Sequence, residues 1–162
     1  MTTDAEHLDY QRRYFELSRE GNVRLLHTAS PYVLRHLDRL GAEAGLAPRQ
    51  HILEVGAGMG RFTSLLLERG LDVVASDLSD DLLAELRTKH PAAKTLACDV
   101  AEIDRHAGGG FDRIVGFFML HHLSNLGEVF ASMRRAMRPG GRVAFCEPNA
   151  YCALYYLQIA LS

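Results

Sequence analysis

The chain has 162 residues, 48% of them hydrophobic and 23% charged, with a formal net charge of -2, which suits one folded domain with a real core and argues against a broad electrostatic grip on nucleic acid. Three cysteines, Cys98, Cys146 and Cys152, show no metal-type spacing, and the polar start Met1-Thr2-Thr3-Asp4 is unlike a signal peptide, so a reducing cytoplasm is expected. The longest apolar run, Tyr151 to Leu161 broken only by Gln158, is well short of the roughly 20 residues that span a bilayer.

From His7 to Leu40 the apolar residues recur at helical spacing, marked by Leu17, Val23, Leu26, Val33, Leu34, Leu37 and Leu40, and this predicts about three helices. Gly21-Asn22 and Ser30-Pro31 break the stretch, and Pro31 suits a first helical position because the N–H it lacks would be unpaired there anyway. Gly41 and then Gly45-Leu46-Ala47-Pro48 mark the exit. Past Pro48, short apolar runs alternate with helical ones, the pattern of βαβ units around a parallel sheet. Strands are predicted over Ile52 to Val55, Asp72 to Ser76, Lys94 to Cys98, Arg113 to Phe117 and Arg142 to Glu147. Helices are predicted over Gly60 to Arg69, Ser79 to His90 and Asn125 to Met137, with Ser79 as an N-cap and Asn125 with Glu128 at capping-box spacing. Helix exits read at Gly70 and at Arg138-Pro139-Gly140-Gly141, and Gly108-Gly109-Gly110 separates two patterned stretches. The chain thus divides into an N-terminal helical cap over 1–47, an α/β core over 48–150, and the start of a further helix over 151–162.

The segment His51-Ile52-Leu53-Glu54-Val55-Gly56-Ala57-Gly58-Met59-Gly60-Arg61-Phe62 reads as a buried strand, a glycine-rich turn and a helix start. Glycines permit positive φ and close approach of a ligand, and the unpaired N–H groups of the helix start favour an anion, either a phosphate or a carboxylate. A dinucleotide site would space its glycines G-x-G-x-x-G; here the third comes one residue early and Glu54 would crowd a diphosphate. This disfavours a nicotinamide-linked oxidoreductase and points to a ligand whose head group carries an amine and a carboxylate.

With Glu54-Val55-Gly56-Ala57-Gly58-Met59-Gly60 as its first motif, E/D-x-G-x-G-x-G, the chain resembles the class I S-adenosylmethionine-dependent methyltransferases from about Pro48 to Asn149. The resemblance implies a Rossmann-like, doubly wound and mainly parallel sheet, with Glu54, Gly56, Gly58 and Gly60 at the cofactor. Asp77 closes the second strand about 20 residues past the glycines, where a carboxylate can accept from both ribose hydroxyls; the family has its ribose-binding acid there and sets the next residue, here Leu78, against the adenine. Asp77 also reads as a helix-capping residue. In the family an acid after the third strand takes the adenine amino group and the next backbone N–H meets the ring, which designates Asp99 and Val100. The fourth-strand exit, Gly116-Phe117-Phe118-Met119-Leu120-His121-His122-Leu123, is similar to that of small-molecule members. Phe117 either faces the sulfonium cation or is plain core.

Methyl transfer from a sulfonium needs alignment and exclusion of water more than a universal catalytic residue. His121 and His122 are candidate general bases for a phenol, amine or acidic carbon acceptor. A small-molecule acceptor is expected outside the carboxyl ends of the strands, under the N-terminal helices, with Tyr10, Tyr14, Phe15 and His27 as candidate lining. Glu147-Pro148-Asn149 would face it as well. The other reading is a cofactor-binding or interaction module without turnover. A complete fold of this family continues past the fifth strand with a helix and two more strands, so the apolar segment Tyr151 to Leu161 is expected to pack on a missing C-terminal part or on a second copy in a homodimer.

Overall fold

The computed structural model describes residues 4–17 and 30–149. The expected break at Gly21-Asn22, His27 and the whole segment 151–162 lie outside the described residues, as does the side chain of Phe15.

Helix α1 runs over Asp4–Leu17 and α2 over Pro31–Ala44. Ser30 caps α2, its hydroxyl accepting from the Val33 amide at 3.3 Å, and Pro31 takes the first position. Gly45, left-handed at φ 64°, ends the helix. The guanidinium of Arg113 donates to the Ala44 carbonyl at 2.5 Å, placing a cation where the helix dipole is negative. Val33, Leu37, Leu40 and Ala44, spaced three and four apart, bury one stripe of α2 against Ile52, Phe62, Leu66 and Phe117.

The core alternates β1 (His51–Val55), α3 (Arg61–Glu68), β2 (Asp72–Asp77), α4 (Asp80–Lys89), β3 (Lys94–Ala97), a 3-10 turn at Val100–Glu102 with the short α5 (Ile103–His106), β4 (Phe111–Phe117), α6 (Leu126–Ala136) and β5 (Met137–Cys146). The strands form one parallel sheet in the order β3-β2-β1-β4-β5. The chain therefore winds outward from β1 to β3, then crosses to β4 on the other side. The crevice between β1 and β4 is the topological switch point where open α/β sheets bind ligands.

Ser79 caps α4, accepting from the Leu82 amide at 3.4 Å. The capping box expected at Asn125 does not form: Asn125 sits at φ 18°, ψ 56° without a side-chain cap bond, and only its carbonyl engages, accepting from Glu128 and Val129 at 3.1 and 3.3 Å. At the other end of α6, β5 starts at Met137 rather than Arg142. Met137 pairs with Phe111 and Arg142 with Arg113, so Arg138-Pro139-Gly140-Gly141 is a bulge within the strand's span rather than a turn before it. Among the described residues no helix is long and apolar enough to cross a membrane.

Candidate functional site

The ends of four strands open on one cleft of about 280 Å³, whose wall includes Gly56 and Gly58 after β1, Asp77 and Leu78 at the end of β2, Asp99 and Val100 after β3, and Phe117 at the end of β4. Seven of the candidate cofactor residues are thus brought together, along with His122. Glu54, Gly60 and His121 are not on this wall.

Gly56, Gly58 and Gly60 all take positive φ, at 69°, 52° and 81°, but their surroundings differ. A Cβ on Gly60 would come within 2.3 Å of Leu86 Cδ1 on α4, whereas one on Gly58 would meet nothing within 4 Å. Gly60 therefore closes the contact between loop and helix, and Gly58 presents open backbone to the cleft.

Asp77 secures this loop. Its Oδ2 accepts from the Gly58 amide at 2.8 Å and its Oδ1 from the Ser79 amide at 3.0 Å. Burial raises its carboxyl from the ordinary value, opposed by the backbone amides of Ser79, Gly58 and Leu78. Because each carboxylate oxygen has two lone pairs, acceptor capacity remains for donors in the cleft. Asp99 caps the 3-10 turn, accepting from the Ala101 amide at 2.9 Å through Oδ1.

Glu54 lies behind the loop, only 2% exposed, with Thr63 Oγ1 donating to its Oε2 at 2.6 Å. Burial pushes its carboxyl up to about 8, and the nearby charge of Asp77 adds to the rise. Phe117 serves two purposes: it is buried in the core, stacked on Phe62 at 3.8 Å and 5°, and it lines the cleft. Cys98 also lines the cleft; burial pushes its thiol up to about 11, so at neutral pH it is not a nucleophile.

Several wall residues lay outside the sequence expectations. Arg61, the first residue of α3, lines the cleft, and its Nε is buried without a hydrogen-bond partner. Its position directly after the third glycine was the signal that could have found it, since a cation at a helix start meant for an anion is informative. Phe118 and Met119 join the wall from the β4 exit. On α1 the cleft meets Leu8 and Arg12, while Tyr10 and Tyr14, expected to line the acceptor site, are exposed and stack on each other at 6.4 Å. Within each pair the residues are four apart and share a face, and the pairs are offset by two residues, about 200° around the axis, so they occupy different faces of the same helix.

The cofactor that the sequence resemblance implies fits this wall. Its carboxylate matches the orphaned Nε of Arg61, its backbone approach matches the open Gly58, and its ribose hydroxyls match the spare acceptor capacity of Asp77. Among the described residues no group of His, Cys, Asp and Glu could hold a metal ion.

Comparison with known proteins gives a consistent picture. The sequence pattern of the family described as "Methyltransferase domain" matches residues 53–145. The chain is 33% identical over 133 residues to a demethylmenaquinone methyltransferase of Beutenbergia cavernae, covering 78% of this chain and 53% of that protein. It is 30% identical over 145 residues to a ubiquinone biosynthesis O-methyltransferase of Methylococcus capsulatus, covering 86% of this chain and 59% of that one. The chain thus spans little more than half the length of these relatives. Among solved structures, the phosphoethanolamine N-methyltransferase 1 of Haemonchus contortus, in complex with phosphoethanolamine and S-adenosylhomocysteine, shares the fold with a TM-score of 0.70 at 17% identity, covering 92% of this chain and 34% of that one.

Proposed function

Because the chain belongs to the methyltransferase-domain family, we propose that it binds S-adenosylmethionine in the cleft at the strand ends and methylates a small-molecule acceptor beside the β4 exit. The observation that carries this reading is Asp77, whose carboxylate ties the end of β2 to the amide of Gly58 and keeps acceptor capacity for hydroxyl donors. When bound, S-adenosylmethionine supplies an electrophilic methyl carbon attached to a positively charged sulfur.

The chain's own residues do the rest. Gly56 and Gly58 offer backbone to the amino-acid end, with Arg61 as the cation for its carboxylate. Glu54 and Gly60 support the same loop from behind, Glu54 through Thr63 and Gly60 through its contact with Leu86. Asp77 accepts from the ribose hydroxyls, Leu78 and Val100 flank the base, and Asp99 accepts from its amino group. Phe117 presents an aromatic face toward the cationic centre. His122, on the cleft wall, is in place to take the proton that an acceptor hydroxyl or amine gives up. Leu8 and Arg12 of α1 cover the mouth and exclude water. Free thiols at Cys98 and Cys146 suit a reducing compartment such as the cytoplasm. We further propose that the chain pairs with a second copy of itself, tested by sedimentation across a dilution series.

Calorimetric titration with S-adenosylhomocysteine tests the reading. Binding is expected in the wild type and weakened at least tenfold, about 1.4 kcal/mol, in Asp77→Ala and in Asp99→Ala. Incubation with S-adenosylmethionine and candidate acceptors, read by mass, tests turnover. Absence of binding by a folded wild type would defeat the proposal; binding without any methylated product would favour a module without turnover.

A further inference from the structure

The exit of β4 is a constrained stretch of backbone beside the cleft. Phe118 is left-handed at φ 56°, a conformation that bulky side chains avoid, and its amide donates to the Cys146 carbonyl at 2.7 Å. The next two amides, of Met119 and Leu120, both donate to Oε1 of Glu147, at 3.0 and 2.8 Å. The other oxygen of that carboxylate, Oε2, is 2.6 Å from Nδ1 of His121. One side chain just past β5 thus engages three consecutive residues of a strained turn on the neighbouring strand. The 3-10 turn Leu120–His122 follows at once, closed by the His122 amide donating to the Met119 carbonyl at 3.0 Å.

This turn decides which imidazole meets the cleft. The His121 ring is half exposed beside Glu147 and His121 is not on the cleft wall, whereas His122 is a wall residue. The two rings are packed together, centroids 4.0 Å apart and tilted by 44°, so the His121 ring backs that of His122. With the carboxylate accepting, Nδ1 of His121 is the donor, and the second nitrogen, Nε2, is the acceptor in the neutral ring. A carboxylate that chooses the tautomer and aims the ring is the arrangement by which enzymes orient an imidazole through its far nitrogen.

We propose that Glu147 is the positioning residue of the acceptor end: it holds the 118–121 turn and the His121 ring so that His122 is presented to the acceptor. This rests on the methyl-transfer reading of the cleft for its chemistry, but the structural claim stands or falls independently. Glu147 is not among the residues of the cleft wall; it acts through His121 and the two backbone amides.

Two variants separate its effects. In Glu147→Gln the amide oxygen still accepts from Met119 and Leu120, while the amide nitrogen donates to Nδ1 and forces the proton of His121 onto Nε2. In Glu147→Ala all three bonds are lost. Nitrogen-15 NMR of the imidazoles is expected to show His121 protonated on Nδ1 in the wild type and on Nε2 in Glu147→Gln. Hydrogen exchange at the Met119 and Leu120 amides is expected to be unchanged within about twofold in Glu147→Gln and at least tenfold faster in Glu147→Ala. Saturation with S-adenosylhomocysteine should shift the His122 ring resonances more than those of His121 in the wild type, and that difference should disappear in Glu147→Ala. An Nε2-protonated His121 in the wild type, or equal amide exchange in wild type and Glu147→Ala, would overturn the proposal. Failure of S-adenosylhomocysteine to bind the wild type, with the tautomer and exchange results as expected, would instead remove the methyl-transfer reading and leave the positioning device intact.

Discussion

Replacing Glu54 by Gln should change how the stability of this protein depends on pH, in a direction opposite to that of an ordinary surface carboxylate. Glu54 sits in β1 between Ala75 of β2 and Val115 of β4, with its carboxyl pushed up to about 8 by burial. Between its unfolded pKa, about 4.3, and that value the folded chain holds one proton more than the unfolded chain. The stabilisation from the protonated group is therefore fully present below the unfolded pKa and is lost as pH rises through 8. The slope is at most about 1.4 kcal/mol per pH unit, so from pH 5 to pH 8 the loss comes to roughly 3–4 kcal/mol. In a chain of this size each kcal/mol moves the midpoint by roughly 2–4 °C, so the melting temperature should fall by about 6–16 °C. Glutamine keeps an oxygen for the Thr63 hydroxyl and does not titrate, so Glu54→Gln should match the wild type near pH 5 and melt above it at pH 8. Asp77 is also raised by burial and is common to both proteins, so only its coupling to Glu54 enters the difference. Asp104, lowered to about 2 mainly by its bond from Arg135, acts only at more acid pH. Thermal melts of the two proteins at half-unit steps check this. Curves that run parallel from pH 5 to pH 8 would mean that Glu54 is ionised throughout, and the account of the loop's support would be wrong.

The three glycines should separate by assay. Gly60→Ala, which drives a Cβ into Leu86 at a left-handed position, is expected to cost roughly 1–3 kcal/mol of stability by denaturant unfolding. Gly58→Ala, with open space around it, should cost only about 1 kcal/mol for its backbone conformation yet weaken S-adenosylhomocysteine binding at least tenfold; equal losses of stability in the two variants would contradict the division. Cys98, on the cleft wall with its thiol raised to about 11, should be alkylated by iodoacetamide at pH 8 much more slowly than a free thiol, and more slowly still with S-adenosylhomocysteine present. Peptide mass mapping reads this directly, and fast labelling unaffected by the ligand would show that Cys98 is neither buried nor at the site.

What could be read in advance depended on how local each signal is. The alternation of short apolar runs with helical ones located the five strands of the sheet, most directly β1 and β4, whose residues are nearly all buried. Ser79 was legible as a cap because its partner, the Leu82 amide, is three residues away. Asn125 had the same spacing to Glu128, but its backbone conformation leaves the side chain without a cap bond, and no residue type announces that. The bulge in β5 was hidden because Pro139, Gly140 and Gly141 look the same in a turn and in a strand that must take up extra residues. Glu147 was read as the end of a strand that would face the acceptor, but its grip on the β4 exit was not legible. Its bonds to Met119 and Leu120 span 28 and 27 residues and exist only because β4 and β5 are neighbours.

The glycine loop shows why the ligand could be read at all, and which residue carries that reading. Gly56 would place a Cβ 2.7 Å from that of Met119, and Gly60 would place one 2.3 Å from Leu86, so the packing of the protein itself already demands glycine at two of the three positions. An identical pattern would be needed by a fold that bound nothing. Only Gly58 is free of protein neighbours, and its amide is the one that Asp77 accepts. The discriminating feature is therefore a pair: an open glycine after β1 and a carboxylate at the end of β2. Their separation of about 20 residues is the length of one helix and one strand, which is what a single βαβ step requires. Counting glycines alone would predict the turn; only the acid at the end of the next strand turns it into half of a binding site.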